Sequence, residues 1–118
     1  MTLRSATLDV TFAALADPAR RAMLSQLTRG PASVSKLARP LSMSLPAVMQ
    51  HLAVLEHAGL VRSSKLGRVR LCRLEPQALS VAEQWISQRR SEWEQRLDRL
   101  GAYLNSLKQG GDSDEHGK

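Results

Sequence analysis

The segment that most constrains the fold is residues 44–59, in which one helix is bounded at both ends. Ser44 is placed to cap the helix N-terminus, and Gly59 lies where a glycine commonly ends a helix. The apolar residues between them recur at spacings of three, four and three, as Leu45, Val48, Leu52 and Leu55. Such spacing places these side chains on one side of a helix and predicts that this side faces a core.

Shorter helical patterns precede this segment. A first helix is indicated by apolar residues at helical spacing, namely Leu8, Phe12, Leu15 and Ala16. Asp17 followed by Pro18 is typical of an N-cap and the first turn of a second helix. Ser33 is placed to cap a short third helix that Pro40 closes. The turn 41–43 joins this third helix to the capped helix, which is the layout of a helix-turn-helix.

The pattern changes after Gly59 to two short stretches, 60–66 and 69–74, which Gly67 and Arg68 separate. This arrangement predicts a β-hairpin, because glycine can adopt the positive φ that a tight turn needs. A long helix then opens at Glu75-Pro76, and its apolar positions alternate in three- and four-residue steps: Leu79, Ala82, Ile86, Trp93, Leu97, Leu100, Leu104 and Leu107. The repeat has the heptad form of a helix that packs against a partner helix.

Together these elements predict a mainly α fold with a small β-hairpin, the winged helix-turn-helix, with a two-stranded wing and long N- and C-terminal dimerisation helices. A chain of 118 residues has room for one domain, which we expect to span residues 1–109. Residues 110–118 are polar and Gly-rich and are expected to form a disordered tail. We find no bilayer-length apolar run and no signal-peptide pattern, so we expect a cytoplasmic protein without a membrane partner.

Basic residues are concentrated in the middle of the chain. Between Pro18 and Leu74 there are ten basic residues and one acidic residue, Glu56. This asymmetry indicates a polyanionic partner for the central segment. A solvated basic face has the same composition, so charge alone leaves both interpretations open. RNA would also be attracted, although a helix that suits a wide major groove favours duplex DNA.

The outer face of the capped helix is small and uncharged. At about 100° per residue, the positions opposite the apolar side are Pro46, Gln50, Ala53 and His57. Recognition helices read bases with their N-terminal residues, so this face predicts entry into the major groove. Gln50 could form bidentate hydrogen bonds to adenine, and Pro46 and Met49 could contact a thymine methyl group. An ordinary surface helix is the alternative.

Basic residues also crowd the hairpin, with Arg62 at its entry and Arg73 at its exit. They either protect a strand edge or contact DNA, and we favour DNA because no carboxylate neutralises them in the predicted hairpin. Serine hydroxyls near the helix starts either cap those helices or bind phosphate. The predicted DNA-binding residues are Ser33, Ser35, Ser44, Leu45, Pro46, Met49, Gln50, His51, Arg62, Lys65, Arg68 and Arg70.

Two segments and the basic wing together resemble the ArsR/SmtB family of bacterial winged-helix repressors: residues 13–24, AALADPARRAML, and residues 44–61, SLPAVMQHLAVLEHAGLV. The resemblance covers about residues 8–107. It implies a homodimer that presents two recognition helices to a palindromic operator near a promoter. The first and last helices would form the interface, through Leu8, Phe12, Leu79, Trp85, Ile86, Trp93, Leu97, Leu100 and Leu104.

A finer resemblance concerns residues 85–103, which contain QRRSEWEQRLDRL and are similar to the SdpR-type autorepressor subgroup. Met49 departs from the family pattern, because many relatives carry serine there. Relatives that sense soft metals often have a Cys-x-Cys pair before the turn, where this chain has Ser33 and Ser35, and hydroxyls cannot replace thiolates. A second family site uses Asp, His and Glu of the last helix, which here has no histidine before the tail. We therefore expect no metal site and no cofactor, and the sequence identifies no effector.

Two further functions are weighed against DNA binding. We expect no enzyme, because the chain has no Gly-rich phosphate loop, nucleophile elbow or histidine-carboxylate cluster. His51 and His57 are interpreted as DNA-side or packing residues, and Cys72 as a small buried hydrophobe. The alternatives left open are a protein-interaction module with an incidental basic face and a redox-responsive repressor that uses Cys72.

Overall fold

The computed structural model describes the backbone of residues 3–116 and the side chains of residues 6–110. The chain divides into two units, residues 1–83 and 84–118. The helices are α1 (Leu3–Leu15), α2 (Pro18–Leu27), α3 (Val34–Ala38), α4 (Leu45–His57) and α5 (Pro76–His116), with a 3-10 helix at Arg39–Leu41. The strands are β1 (Ala32–Ser33), β2 (Val61–Leu66) and β3 (Val69–Leu74). The predicted winged helix-turn-helix is confirmed.

Side-chain caps define where three of these helices begin. The Asp17 carboxylate accepts the backbone N–H groups of Ala19 and Arg20 at 2.8 and 3.1 Å. Ser33 Oγ accepts the N–H of Lys36, and Ser44 Oγ accepts that of Ala47. Each cap satisfies an amide that has no partner within its helix. The hydroxyls of Ser33 and Ser44 thus have the capping role that was one of their two interpretations.

The wing is one strand larger than predicted. Strands β2 and β3 form an antiparallel hairpin in which Leu66 pairs with Val69 across Gly67, whose φ is +63°. Strand β1 pairs with the other edge of β3, with Ala32 opposite Cys72. A strand of two residues is too short to show an alternating pattern, so periodicity alone could not reveal it. This pairing attaches the start of α3 to the base of the wing.

The core of the first unit is formed by α1–α4 and the sheet, and includes the buried residues Ala14, Met23, Leu27, Leu37, Val48, Leu52, Leu55, Leu60, Val61 and Cys72. The prediction that Leu45 faces this core is wrong, because its side chain is 54% exposed. Leu45 lies in the first turn of α4, where the helix borders an open cleft. Three of the four apolar positions therefore anchor the helix, and the fourth is available at the surface.

Both chain ends are more helical than expected. Helix α1 begins at Leu3, five residues before Leu8, where the predicted apolar pattern starts. Helix α5 continues to His116, so the backbone is helical over residues 110–116 of the expected tail. Gly117 and Lys118 lie outside the described residues. The domain limits given above stay a prediction.

The Asp17 cap makes a prediction about stability and pH. The backbone N–H of Arg20 is the largest of the interactions that lower the pKa of the Asp17 carboxyl. Because the folded-state pKa lies below the unfolded value, the carboxylate stabilises the fold above the unfolded pKa, and that contribution is lost as pH falls through the folded pKa. Asp17→Asn retains a good cap without a titrating group, so its free energy of unfolding should fall less steeply in acid than that of the wild type. Urea unfolding at a series of pH values measures this, and superimposable pH profiles would contradict it.

Candidate nucleic-acid interface

The first two turns of α4 present an uncharged surface. Leu45, Pro46, Met49 and Gln50 are all exposed, while Val48 and Leu52 face the core. Packing of the buried side chains against the core therefore fixes the position of α4, while the residues predicted to contact bases remain accessible. No carboxylate occurs in this half of the helix, so nothing there would repel a phosphate backbone.

His51 does not share that surface. Its side chain turns toward α2, where Nδ1 lies 3.2 Å from Arg20 Nη1 and 4.0 Å from Asp17 Oδ1. A guanidinium can only donate, so Nδ1 accepts this hydrogen bond. Arg20 also donates to the carbonyl oxygens of Ala14 and Ala13, at 2.7 and 3.1 Å. His51, which is interpreted above as a DNA-side or packing residue, thus ties α4 to the corner between α1 and α2 through a partner that is 31 residues away.

The expectation that no carboxylate neutralises the wing is wrong at its base. Glu75 Oε1 lies 3.6 Å from Arg62 Nε and 3.9 Å from Arg73 Nε. Glu75 directly follows β3 and therefore lies outside the predicted hairpin in sequence. The antiparallel pairing of β2 and β3 nevertheless brings it close to Arg62. Arg62 and Arg73 therefore already face an acidic partner.

A second carboxylate acts indirectly on Arg70, in the outer half of the wing. Arg70 Nε donates to Ser63 Oγ at 3.0 Å, and Ser63 Oγ donates to Glu56 Oε1 at 2.5 Å. Lys65, which pairs with Arg70 across the hairpin, and Arg68 in the turn have no hydrogen-bonded route to a carboxylate and form no ion pair with the described residues. The unneutralised positive charge of the wing is consequently concentrated at its tip.

An open cleft of about 480 Å³ lies between the wing and the starts of α3 and α4. Its lining combines hydroxyl, apolar and guanidinium side chains: Ser33, Val34, Ser35, Leu45, Met49, Arg68, Val69 and Arg70. Six of the predicted DNA-binding residues thus meet at one place, although they come from β1, α3, α4 and the hairpin of β2 and β3. Ser44, Pro46, Gln50, Arg62 and Lys65 lie outside this lining.

Cys72 is fully buried in β3, opposite Ala32 and Ser63. Burial raises the pKa of its thiol, and the Glu56 carboxylate raises it further. A thiol that is both buried and protonated is a poor nucleophile. The structure therefore supports the packing interpretation and weakens the redox-responsive alternative.

This burial predicts slow thiol chemistry. Folded protein should react with a disulfide reagent at pH 8 orders of magnitude more slowly than protein unfolded in urea, because modification requires an opening of the sheet. The absorbance of the released thiolate measures both rates. Comparable rates would show that Cys72 is accessible and would restore the redox alternative.

Comparisons with known proteins agree with this geometry. Residues 15–64 match the model of a helix-turn-helix domain family. The HTH-type transcriptional regulator Rv2034 of Mycobacterium tuberculosis is 46% identical over 73 residues, which are 62% of this chain and 68% of that protein. A crystal structure of an ArsR family transcriptional regulator is 45% identical with a TM-score of 0.74, over 80% of this chain and 97% of the other. The chain belongs to the ArsR family.

A second solved structure, an ArsR-like transcriptional regulator from Rhodococcus sp. RHA1, is 35% identical with a TM-score of 0.69, over 81% of this chain and 91% of the other. This ArsR family protein is accordingly a DNA-binding transcription regulator and not an enzyme. In the part of the chain that the structure describes, none of the helices contains an apolar stretch of the length that a membrane span requires. The finer placement in the SdpR-type subgroup stays a prediction.

The predicted dimer residues differ in their surroundings. Leu8, Phe12 and Leu79 are half-buried within the first unit. The others lie on the second unit, a stretch of α5 in which no described side chain is buried: Trp85, Ile86, Trp93, Leu97, Leu100 and Leu104. Their side chains are between 42% and 61% exposed. Repeated exposed leucine and tryptophan on one long helix is the pattern of a surface that a partner helix covers.

Proposed function

We propose that this ArsR family protein is a homodimeric repressor that binds a palindromic operator near a promoter and has no metal-sensing site. The observation that carries the proposal is the pairing of two surfaces. An uncharged, accessible half of α4 suits the base edges, and an unneutralised wing tip beside it suits the phosphates.

Dimerisation is supported by the exposed apolar repeat of α5. A two-fold dimer places equivalent recognition helices about one turn of DNA apart, roughly 34–36 Å, and so requires a site with matching symmetry. A repressor needs only occupancy of such a site, because bound protein blocks access of the polymerase. No ligand-driven change is required for that action.

Absence of a metal site is supported by side-chain chemistry. Ser33 Oγ is already the cap of α3, and a neutral hydroxyl is a poor ligand for a soft metal ion. Within the part of the chain that the structure describes, no group of three or more His, Cys, Asp or Glu side chains lies close enough to hold an ion. Stoichiometric zinc in purified dimer, removed by a chelator, would contradict this part of the proposal.

Selection of duplexes from a random pool tests the operator directly. We expect the purified protein to enrich a two-fold symmetric sequence whose half-sites are separated by about one helical turn. Transcription in vitro from a promoter that contains this sequence should decrease as protein is added. The proposal would be overturned if no sequence were enriched. Binding of another protein to the apolar surface of α5 would then favour the interaction-module alternative.

A further inference from the structure

Three exposed apolar side chains converge on the cleft between α4 and the wing. Leu45 is 54% exposed, Met49 38% and Val69 49%, and all three line the same cavity of about 480 Å³. Single exposed apolar residues are ordinary on protein surfaces. This group differs because it lies within a concave surface whose other lining includes Arg68 and Arg70.

The charged neighbours indicate what covers this apolar surface. A protein partner that only buried Leu45 and Met49 would also have to desolvate two guanidinium groups beside them. Duplex DNA avoids that cost, because its phosphates can pair with the guanidinium groups while base edges in its major groove contact Leu45 and Met49. Among the base edges of the major groove, the C5-methyl group of thymine is the apolar feature.

We propose that this chain recognises thymine in its operator half-sites through contact of Leu45 and Met49 with C5-methyl groups. The inference rests on the proposed function and specifies the sequence that it reads. The first two turns of α4 contain one side chain that can form a bidentate hydrogen bond with a base, Gln50, and its preferred partner is adenine. Contact of Leu45 and Met49 with methyl groups favours thymine, and hydrogen bonding by Gln50 favours adenine. Both kinds of contact therefore select A·T base pairs.

Deoxyuridine substitution tests methyl recognition, because it removes only the C5-methyl group of thymine. In the duplex enriched from the random pool, each thymine is replaced in turn by deoxyuridine, which removes the methyl group and retains every phosphate and Watson–Crick hydrogen bond. Affinity should fall about fourfold at one or two positions of each half-site and stay unchanged elsewhere. Replacing the symmetric positions of both half-sites together should lower affinity about sixteenfold.

Alanine variants assign the contact to particular side chains. Met49→Ala and Leu45→Ala should each weaken binding to the thymine duplex and should abolish the deoxyuridine effect at the position that the removed side chain contacts. Val54→Ala is the matched control, because Val54 is also an exposed apolar residue of α4, 39% exposed, but lies outside the cleft. It should retain the full deoxyuridine effect, and circular dichroism should show all three variants folded.

The outcomes separate this inference from the proposed function. Specific binding that is insensitive to deoxyuridine at every position, or equally sensitive in wild type and in both cleft variants, would overturn methyl recognition and leave operator binding intact. A half-site consensus that contains no A·T base pair would likewise overturn methyl recognition and leave operator binding intact. Failure to enrich any duplex would overturn the proposed function and this inference together.

Discussion

Replacing Lys65 and Arg68 with alanine should lower DNA affinity by about 10- to 100-fold at moderate salt and flatten its salt dependence. Both side chains lie near the wing tip and form no ion pair with the described residues, so their charge is available to phosphates. Each lost phosphate contact reduces the slope of log K against log salt by about 0.9. For a dimer that loses two contacts per protomer, the magnitude of this slope should therefore decrease by about 3 to 4. Fluorescence anisotropy at several salt concentrations measures the slope.

The matched control removes the same formal charge from the base of the wing. Arg62→Ala with Arg73→Ala deletes two guanidinium groups that already lie within 4 Å of Glu75. We expect a smaller loss of affinity and a smaller change in slope from this pair. Equal effects of the two pairs would mean that net charge alone attracts DNA and that the wing tip makes no particular contact.

Leu100→Glu should dissociate the dimer and lower operator affinity more than about a hundredfold, because each buried carboxylate costs several kcal/mol and the two-fold axis places it in the interface twice. Leu100 belongs to the exposed apolar repeat of α5 and supports no buried core in its own unit. The monomer fold of residues 1–83 should consequently survive. Sedimentation equilibrium measures the association, and anisotropy measures the loss of DNA binding.

Ala102→Glu provides the control for this variant. Ala102 is exposed and lies about 200° around the helix from Leu100, away from the apolar repeat. It should remain a dimer with nearly unchanged affinity. If Leu100→Glu also remained dimeric, the α5 repeat would not be the dimer interface.

Local signals were sufficient to predict most of the fold. The caps at Asp17, Ser33 and Ser44 and the turn at Gly67 depend on residues close in sequence, and the structure confirms each of them. The limits of α4 and of the hairpin follow from the same kind of signal. A winged helix-turn-helix is unusually easy to predict because its order of elements is encoded in short, well-bounded segments.

Contacts between distant residues were not predictable in this way. Strand β1 exists only because Ala32 pairs with Cys72, and the His51 side chain lies against α2 only because Arg20, 31 residues away in sequence, donates a hydrogen bond to it. Glu75 neutralises Arg62 only once the hairpin has closed. In each case, composition supplied the residue types, and tertiary packing decided which partners they have.

Sequence-specific DNA binding by this chain is tested by titrating it against fluorescent duplex DNA from the region upstream of its own coding sequence. A scrambled duplex of equal composition serves as the comparison, and both are measured over a range of salt concentrations. We expect nanomolar binding that prefers the native duplex, saturates at two protomers per duplex and weakens steeply with salt. Equal micromolar binding to both duplexes would contradict this expectation, because that result would leave only nonspecific attraction between a basic wing and DNA.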